Sequence, residues 1–215
     1  MEIVKINPKN PSSALIKEAS SILKEGGVIV YPTDTVYGLG VDATNKKAIE
    51  KVYKIKGRTF RKPLLVIVSN IKMAEKFCEI TQTAKKLIKK FWPGAVSFVL
   101  RKNEKGRREL KIKGKTIGLR MPKSPISLEI AKKFGRPFTS TSANLAKRPP
   151  CYSLGEIQKQ FGKKKLALVN LMLDCGYLPK RETSTIIDLS STKPKILREG
   201  LIKKEKLKVY LESLS

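Results

Sequence analysis

Short apolar runs alternate along the chain with segments whose apolar residues recur at helical spacing, and this alternation restricts the fold to helices packed on a sheet. Glu2–Ile6 predicts a strand, and Ser13–Glu25 a helix with Leu15, Ile16, Ala19, Ile22 and Leu23 on one face and Gly26 at its C′ position. Gly27–Tyr31 reads as a buried strand stopped by Pro32. Asn45–Lys56 predicts a second helix, capped by Thr44 or Asn45 and ended by Gly57, before an apolar strand at Leu64–Val68. Helices near Lys72–Glu79 and Thr81–Phe91 lead to a strand at Ala95–Leu100, and the charged, glycine-containing Lys102–Lys115 reads as a hairpin or exposed loop. Thr116–Met121 is a strand, Ser124-Pro125 opens a helix that Gly135 ends, and Phe138–Ser142 is one further strand. Ser153-Leu154-Gly155-Glu156 has capping-box spacing for a helix that stops at Gly162. Strands at Leu166–Leu173, Thr185–Leu189 and Lys195–Arg198 and a helix over Lys203–Leu214 complete the pattern. Interspersed helices and strands, with adjacent strand pairs near the end, predict an α/β fold on a mixed sheet. No repeat or linker-like stretch divides the 215 residues, so one domain is expected.

The chain has no histidine, which excludes histidine-dependent triads, Cys–His nucleophile pairs and imidazole metal sites. Its three cysteines, Cys78, Cys151 and Cys175, are odd in number, lack CxxC spacing and suit a reducing cytosol. The N-terminus lacks an apolar signal core and no stretch is long enough to cross a bilayer, so a cytoplasmic protein without membrane contact is expected. Lys and Arg number 46 against 18 Asp and Glu, a formal charge of +28 that attracts anions such as nucleotides, nucleic acid or acidic lipid. Of the cations 36 are lysines scattered throughout, which equally fits genome composition or heat adaptation.

Two nucleotide-like motifs fail on context. Gly38-Leu39-Gly40-Val41-Asp42-Ala43 fits a dinucleotide fingerprint, but Arg58, Arg61 and Lys62 follow where a ribose-binding carboxylate is needed. Gly114-Lys115-Thr116 looks like the end of a phosphate loop, yet Glu109 stands where its first glycine must be. What remains is a set of polar segments at predicted strand or helix ends: Tyr31-Pro32-Thr33-Asp34-Thr35-Val36-Tyr37-Gly38, Lys56-Gly57-Arg58, Lys62-Pro63-Leu64, Ser140-Thr141-Ser142-Ala143-Asn144 and Ser184-Thr185. Each alone fits turn chemistry or solvated charge. Together they gather cations and hydroxyls where α/β sheets bind ligands, a set suited to phosphoryl or nucleotidyl transfer, which depends on positioning and charge stabilisation.

YPTDTVYGLG, KGR followed by KPL, GLRMP, STSAN, STIIDL and the closing REG resemble, in order and approximate spacing, the YrdC-like family, the threonylcarbamoyl-AMP synthases of tRNA modification. The resemblance runs from about Ser12 to Gly200. It implies a single YrdC-like domain over residues 1–215, a twisted α/β sheet with a basic concave face, and no additional C-terminal domain of the kind longer members carry. It implies a reaction joining L-threonine, bicarbonate and ATP into threonylcarbamoyl-adenylate and pyrophosphate, with magnesium held by the ATP phosphates. Lys56, Arg58, Ser142 and Asn144 match the family's catalytic and ATP-binding set, and Arg198 a position close to the nucleotide. Thr35, Lys62, Arg120 and Ser184 match positions near the threonine; at Lys62 many relatives have histidine. Proteins that transfer the threonylcarbamoyl group are implied as downstream partners.

Charge supports a rival equally, a non-catalytic RNA-binding protein of the same fold acting on tRNA or ribosomal RNA, and makes tRNA or double-stranded RNA a possible partner in either case. Aromatic residues at 7% and the absence of an aromatic-rich stripe favour the enzyme. A catalytically divergent paralogue would be expected to alter the Lys-x-Arg or Ser-x-Asn pairs, and both are intact.

Overall fold

The computed structural model describes residues 1–59 and 64–212. In chain order they form β1 (Glu2–Lys5), α1 (Ser13–Lys24), β2 (Ile29–Tyr31), β3 (Gly38–Gly40), α2 (Lys46–Lys56), β4 (Leu65–Ile67), α3 (Ile71–Glu75), α4 (Gln82–Phe91) and β5 (Val96–Arg101). There follow α5 (Glu104–Glu109), β6 (Thr116–Arg120), α6 (Pro125–Phe134), β7 (Phe138–Thr139), β8 (Thr141–Ser142), α7 (Leu154–Leu166), β9 (Leu171–Asp174), β10 (Thr185–Asp188), β11 (Lys195–Arg198) and α8 (Lys204–Glu212).

The α/β class holds, but the strands form two mixed sheets in place of one. The first has the order β1-β9-β2-β3-β8, with β9 parallel to both β1 and β2 and the β2-β3 and β3-β8 pairs antiparallel. The second has the order β11-β10-β5-β6-β4-β7 and alternates antiparallel with parallel pairs. In the first sheet successive residues enter opposite cores. Ile29, Tyr31, Leu171 and Leu173 pack with α1 and α6, while Val30 and Met172 face the larger core that includes α2, α4 and α7 residues. Burial on both faces explains why β2 reads as an unbroken apolar run.

The expected helix ends are largely observed. Asn45, Thr81, Ser124 and Ser153 each accept a backbone N–H from the first turn of their helix, and Gly57 and Gly135 leave α2 and α6 in the left-handed conformation. Three expectations for single segments fail, and one strand was not anticipated. The segment over Lys102–Lys115 is neither hairpin nor exposed loop: it contains α5, and Gly106, Leu110 and Ile112 are buried. Asn103 caps that helix, whose Gly106 lies so close to the Phe77 carbonyl that a Cβ would collide. Gly38-Leu39-Gly40 is strand β3; a Cβ on Gly38 would meet the Tyr31 ring at 2.6 Å, so this glycine makes room for a cross-strand aromatic. The strand expected over Phe138–Ser142 splits, β7 pairing with β4 and β8 with β3. The strand expected over Leu166–Leu173 begins only at Leu171, because α7 resumes beyond a kink at Gly162 and runs to Leu166. No helix among the described residues is long and apolar enough to cross a membrane.

Candidate active site

A cavity of about 340 Å³ opens where ends of both sheets meet. Its described lining includes Lys56, Arg58, Arg120, Lys147 and Arg198 and no carboxylate. Thr33 and Thr35 reach it from the turn after β2, and Ser140 to Lys147 from the crossing between sheets and the loop beyond. Leu65, Val99, Gly118 and Ile186 give the second sheet's contribution an apolar character.

The turn after β2 is built by one hydroxyl. Pro32 ends the strand, and Thr33 Oγ1 accepts the Thr35 and Val36 N–H groups while donating to the Val36 carbonyl at 2.7 Å. This fixes Asp34 and Thr35 against Arg120, which is 4% exposed. The guanidinium donates to Asp34 Oδ1 at 2.6 Å, to Thr35 Oγ1 at 3.0 Å and, through Nε, to the Gly94 carbonyl at 3.1 Å. Burial lowers the Arg120 pKa and the Asp34 charge opposes that shift. Further along the same row of the second sheet Arg198 donates to the Ser184 carbonyl at 2.7 Å, and Ser184 Oγ lies 2.9 Å from Ser97 Oγ. The Arg198 pKa is lowered first by burial and then by Arg120, so the two guanidinium charges feel one another.

The other end is organised by Lys56, the last residue of α2 and 4% exposed. Its ammonium donates to the Ser142 carbonyl at 2.6 Å, the Asn144 carbonyl at 2.9 Å and Asn144 Oδ1 at 3.3 Å. These bonds use all three of its N–H groups. Ser142 Oγ also donates to Asn144 Oδ1, at 2.5 Å, and Asn144 Nδ2 donates to the carbonyls of Leu145 and Arg148. Lys56, Ser142 and Asn144 are therefore one network in which the Asn144 amide holds a loop in place. Burial, followed by the neighbouring Arg58 charge, pushes the Lys56 pKa down to about 7. Just beyond it Gly57 turns the chain with φ 61°, and the Arg58 guanidinium lies 5.5 Å from the Tyr53 ring centroid.

Lys56, Arg58, Ser142, Asn144, Thr35, Arg120, Ser184 and Arg198 thus share one cavity. Lys62 lies outside the described residues. Sequence reasoning passed over Ser97 and Lys147 and gave Asp34 and Tyr37 no role beyond membership of the Tyr31–Gly38 segment. Asp34 carried a readable signal, since an acidic residue inside a buried turn needs a cationic partner. Tyr37 did not: its hydroxyl donates to the Gly176 carbonyl at 2.8 Å and accepts the Cys175 N–H at 3.1 Å, contacts made far along the chain.

The protein-family model described as "Telomere recombination", covering Sua5, YciO and YrdC, matches residues 21–200. The chain belongs to the Sua5/YciO/YrdC family. The family match takes in every cavity residue named above and ends before α8. A Methanocaldococcus jannaschii relative named putative threonylcarbamoyl-AMP synthase is 35% identical over 207 residues, 96% of this chain and 95% of that protein. The Pyrococcus abyssi protein named threonylcarbamoyl-AMP synthase is 32% identical over 186 residues, 86% of this chain but 54% of its own length, so the chain spans about half of that relative. The crystal structure of P. abyssi Sua5 complexed with L-threonine superposes with a TM-score of 0.89 at 29% identity, over 98% of this chain and 61% of that one. Escherichia coli YciO superposes with a TM-score of 0.85 at 31% identity, over 96% and 99%.

Proposed function

We propose that this member of the Sua5/YciO/YrdC family is a threonylcarbamoyl-AMP synthase, which joins L-threonine, bicarbonate and ATP into L-threonylcarbamoyladenylate and pyrophosphate for the threonylcarbamoyl modification of tRNA adenosine 37. One observation carries the reading: a cavity with five cations and no carboxylate in its described lining, where the Lys56–Ser142–Asn144 network stands beside Arg58 and faces Arg120 and Arg198. Relatives named for this activity, and the threonine in P. abyssi Sua5, support it.

Bicarbonate gives up hydroxide to yield carbon dioxide, which the neutral threonine amine attacks, forming an N–C bond and losing a proton that converts the hydroxide to water. The resulting carbamate oxygen attacks the α-phosphorus of ATP; that new P–O bond forms as the bond to the β-phosphate breaks, and the electron pair leaves with pyrophosphate. All the reactants are negative or become so, and offsetting their repulsion is the main demand on the protein. Arg58 supplies a planar fork for phosphate oxygens, and Lys56 adds its charge from behind the Ser142–Asn144 turn. Ser142, whose hydroxyl donates to Asn144 Oδ1 in this structure, turns that proton outward to meet a phosphate oxygen. Arg120 has two N–H groups left after its bonds to Asp34, Thr35 and Gly94 and offers them, with Ser184 and Thr35, to the threonine. Arg198 stands on the nucleotide side. Magnesium enters as the counter-ion of the ATP phosphates, held by them and by water, since the described lining offers hydroxyls and no carboxylate.

Purified protein given ATP, bicarbonate and L-threonine should release pyrophosphate, and leaving out threonine should abolish the release. Absence of any threonine-dependent product from protein that binds ATP would overturn the assignment.

A further inference from the structure

Lys147 is the only non-glycine residue with positive φ among the described residues, at 65°. A lysine gains nothing locally from the left-handed region, where its Cβ crowds the backbone, so the surrounding structure must impose the conformation. That structure is visible. Ala146 N–H donates to the Lys56 carbonyl at 2.9 Å, Arg148 N–H donates to the Leu145 carbonyl at 3.1 Å, and the Asn144 amide donates to the Arg148 carbonyl at 2.6 Å. The same network that ties down the buried Lys56 therefore bends the loop at Lys147. The bend places an exposed lysine in the lining of the cavity. Its ammonium has no hydrogen-bond or ion-pair partner among the described residues, whereas the ammonium of Lys56 is fully engaged inside the protein.

We propose that Lys147 is an additional phosphate-binding cation of this site, held over the cavity by a strained backbone so that its ammonium closes on the triphosphate of the bound nucleotide. This rests on the reading of the cavity as an ATP site. Lys56 and Lys147 divide the work: the buried lysine shapes the loop from inside the protein, and the exposed one supplies the mobile donor. The long side chain can reach the ligand and release it without disturbing the network beneath, because its only tether is its own backbone.

The test uses Lys147→Asn, Lys147→Gly and Lys147→Arg. Asparagine is neutral but tolerates the left-handed region, glycine removes both charge and strain, and arginine keeps the charge. Titration calorimetry with magnesium-ATP at low salt should show affinity weakened about five- to tenfold in the Asn and Gly variants, the range of a partly exposed charge-assisted bond, and retained in Arg. Adenosine, which lacks phosphates, should bind all four proteins equally, and the ATP deficit should shrink as salt rises. The Gly variant should melt at a higher temperature than the parent while binding ATP less well, an opposition that a purely structural lysine would not produce. Unchanged ATP affinity in both neutral variants overturns the proposal, as does an equal loss for adenosine. A loss confined to RNA binding assigns Lys147 to a polynucleotide and likewise overturns it. A parent protein that fails to bind ATP at all overturns the nucleotide reading together with this one, so the two failures are distinct.

Discussion

Arg120 and Lys56 are both buried cations, but they are stabilised differently. Arg120 has the Asp34 carboxylate at 2.6 Å, so removing that carboxylate strands a charge in the interior. Asp34→Ala should lower stability by about 3–5 kcal/mol, read from denaturant unfolding. Lys56 has only neutral oxygens around its ammonium, and burial together with Arg58 lowers its pKa from 10.5 to about 7. Between those two values the unfolded chain holds a proton that the folded chain lacks, so this residue makes stability rise with pH from about 7 to 10.5. Lys56→Met should lose that slope. Phosphates arriving at the cavity favour the charged form, so ATP binding near pH 8 should take up protons, measured as a buffer-dependent binding enthalpy, and Lys56→Met should abolish the Lys56 part of the uptake. Lys56, Arg58, Ser142, Asn144 and Ser184 were legible as members of polar segments at predicted element ends, while Arg120 and Arg198 entered only through the family resemblance. Their division into residues with N–H groups facing the cavity and residues fully occupied by the protein was not legible, since the carbonyls of Ser142, Asn144 and Arg148 that decide it have no sequence signature.

At the scale of elements, local chemistry marked the helices well and the strands less well. Asn45, Thr81, Ser124-Pro125 and Ser153 act through groups within a few residues, which is why the starts of α2, α4, α6 and α7 could be read directly. Strand β3 could not, because Gly38-Leu39-Gly40 lacks the branched side chains that mark strands and is a strand only through its pairing with β2 and β8. Helix α5 was hidden by its charges, and the close approach of Gly106 to the Phe77 carbonyl, with Leu110 and Ile112 buried, shows why the segment is partly interior. Gly38→Ala tests the β3 account. Its methyl group would meet the Tyr31 ring at 2.6 Å, so the variant should lose about 1–3 kcal/mol through overpacking, measured by denaturant unfolding. A neutral Gly38→Ala would mean that the ring moves aside freely.

At the scale of the whole molecule, a formal charge of +28 surrounds a cavity whose described lining contains five cations and no carboxylate. Most of the 46 basic residues lie outside the cavity, and their effect on an anionic substrate is long-range and screened by salt. Neutralising surface lysines remote from the site should weaken the dependence of ATP affinity on ionic strength, and variants that keep the parent's salt profile would confine the useful charge to the cavity. The two-sheet arrangement was out of reach of the sequence because Phe138–Ser142 reads as one strand and nothing local shows that its halves join different partners. That split gives Ser140 the place of a book's spine. The covers are the two sheets: Thr139 pairs with β4 in one and is also hydrogen-bonded to Tyr31 and Leu39 of the other and to Val41 just beyond it, Thr141 pairs with β3, and the cavity is the gap between the opened pages. Ser142 follows Thr141 directly, so the spine of the book runs straight into the turn whose carbonyl holds the Lys56 ammonium.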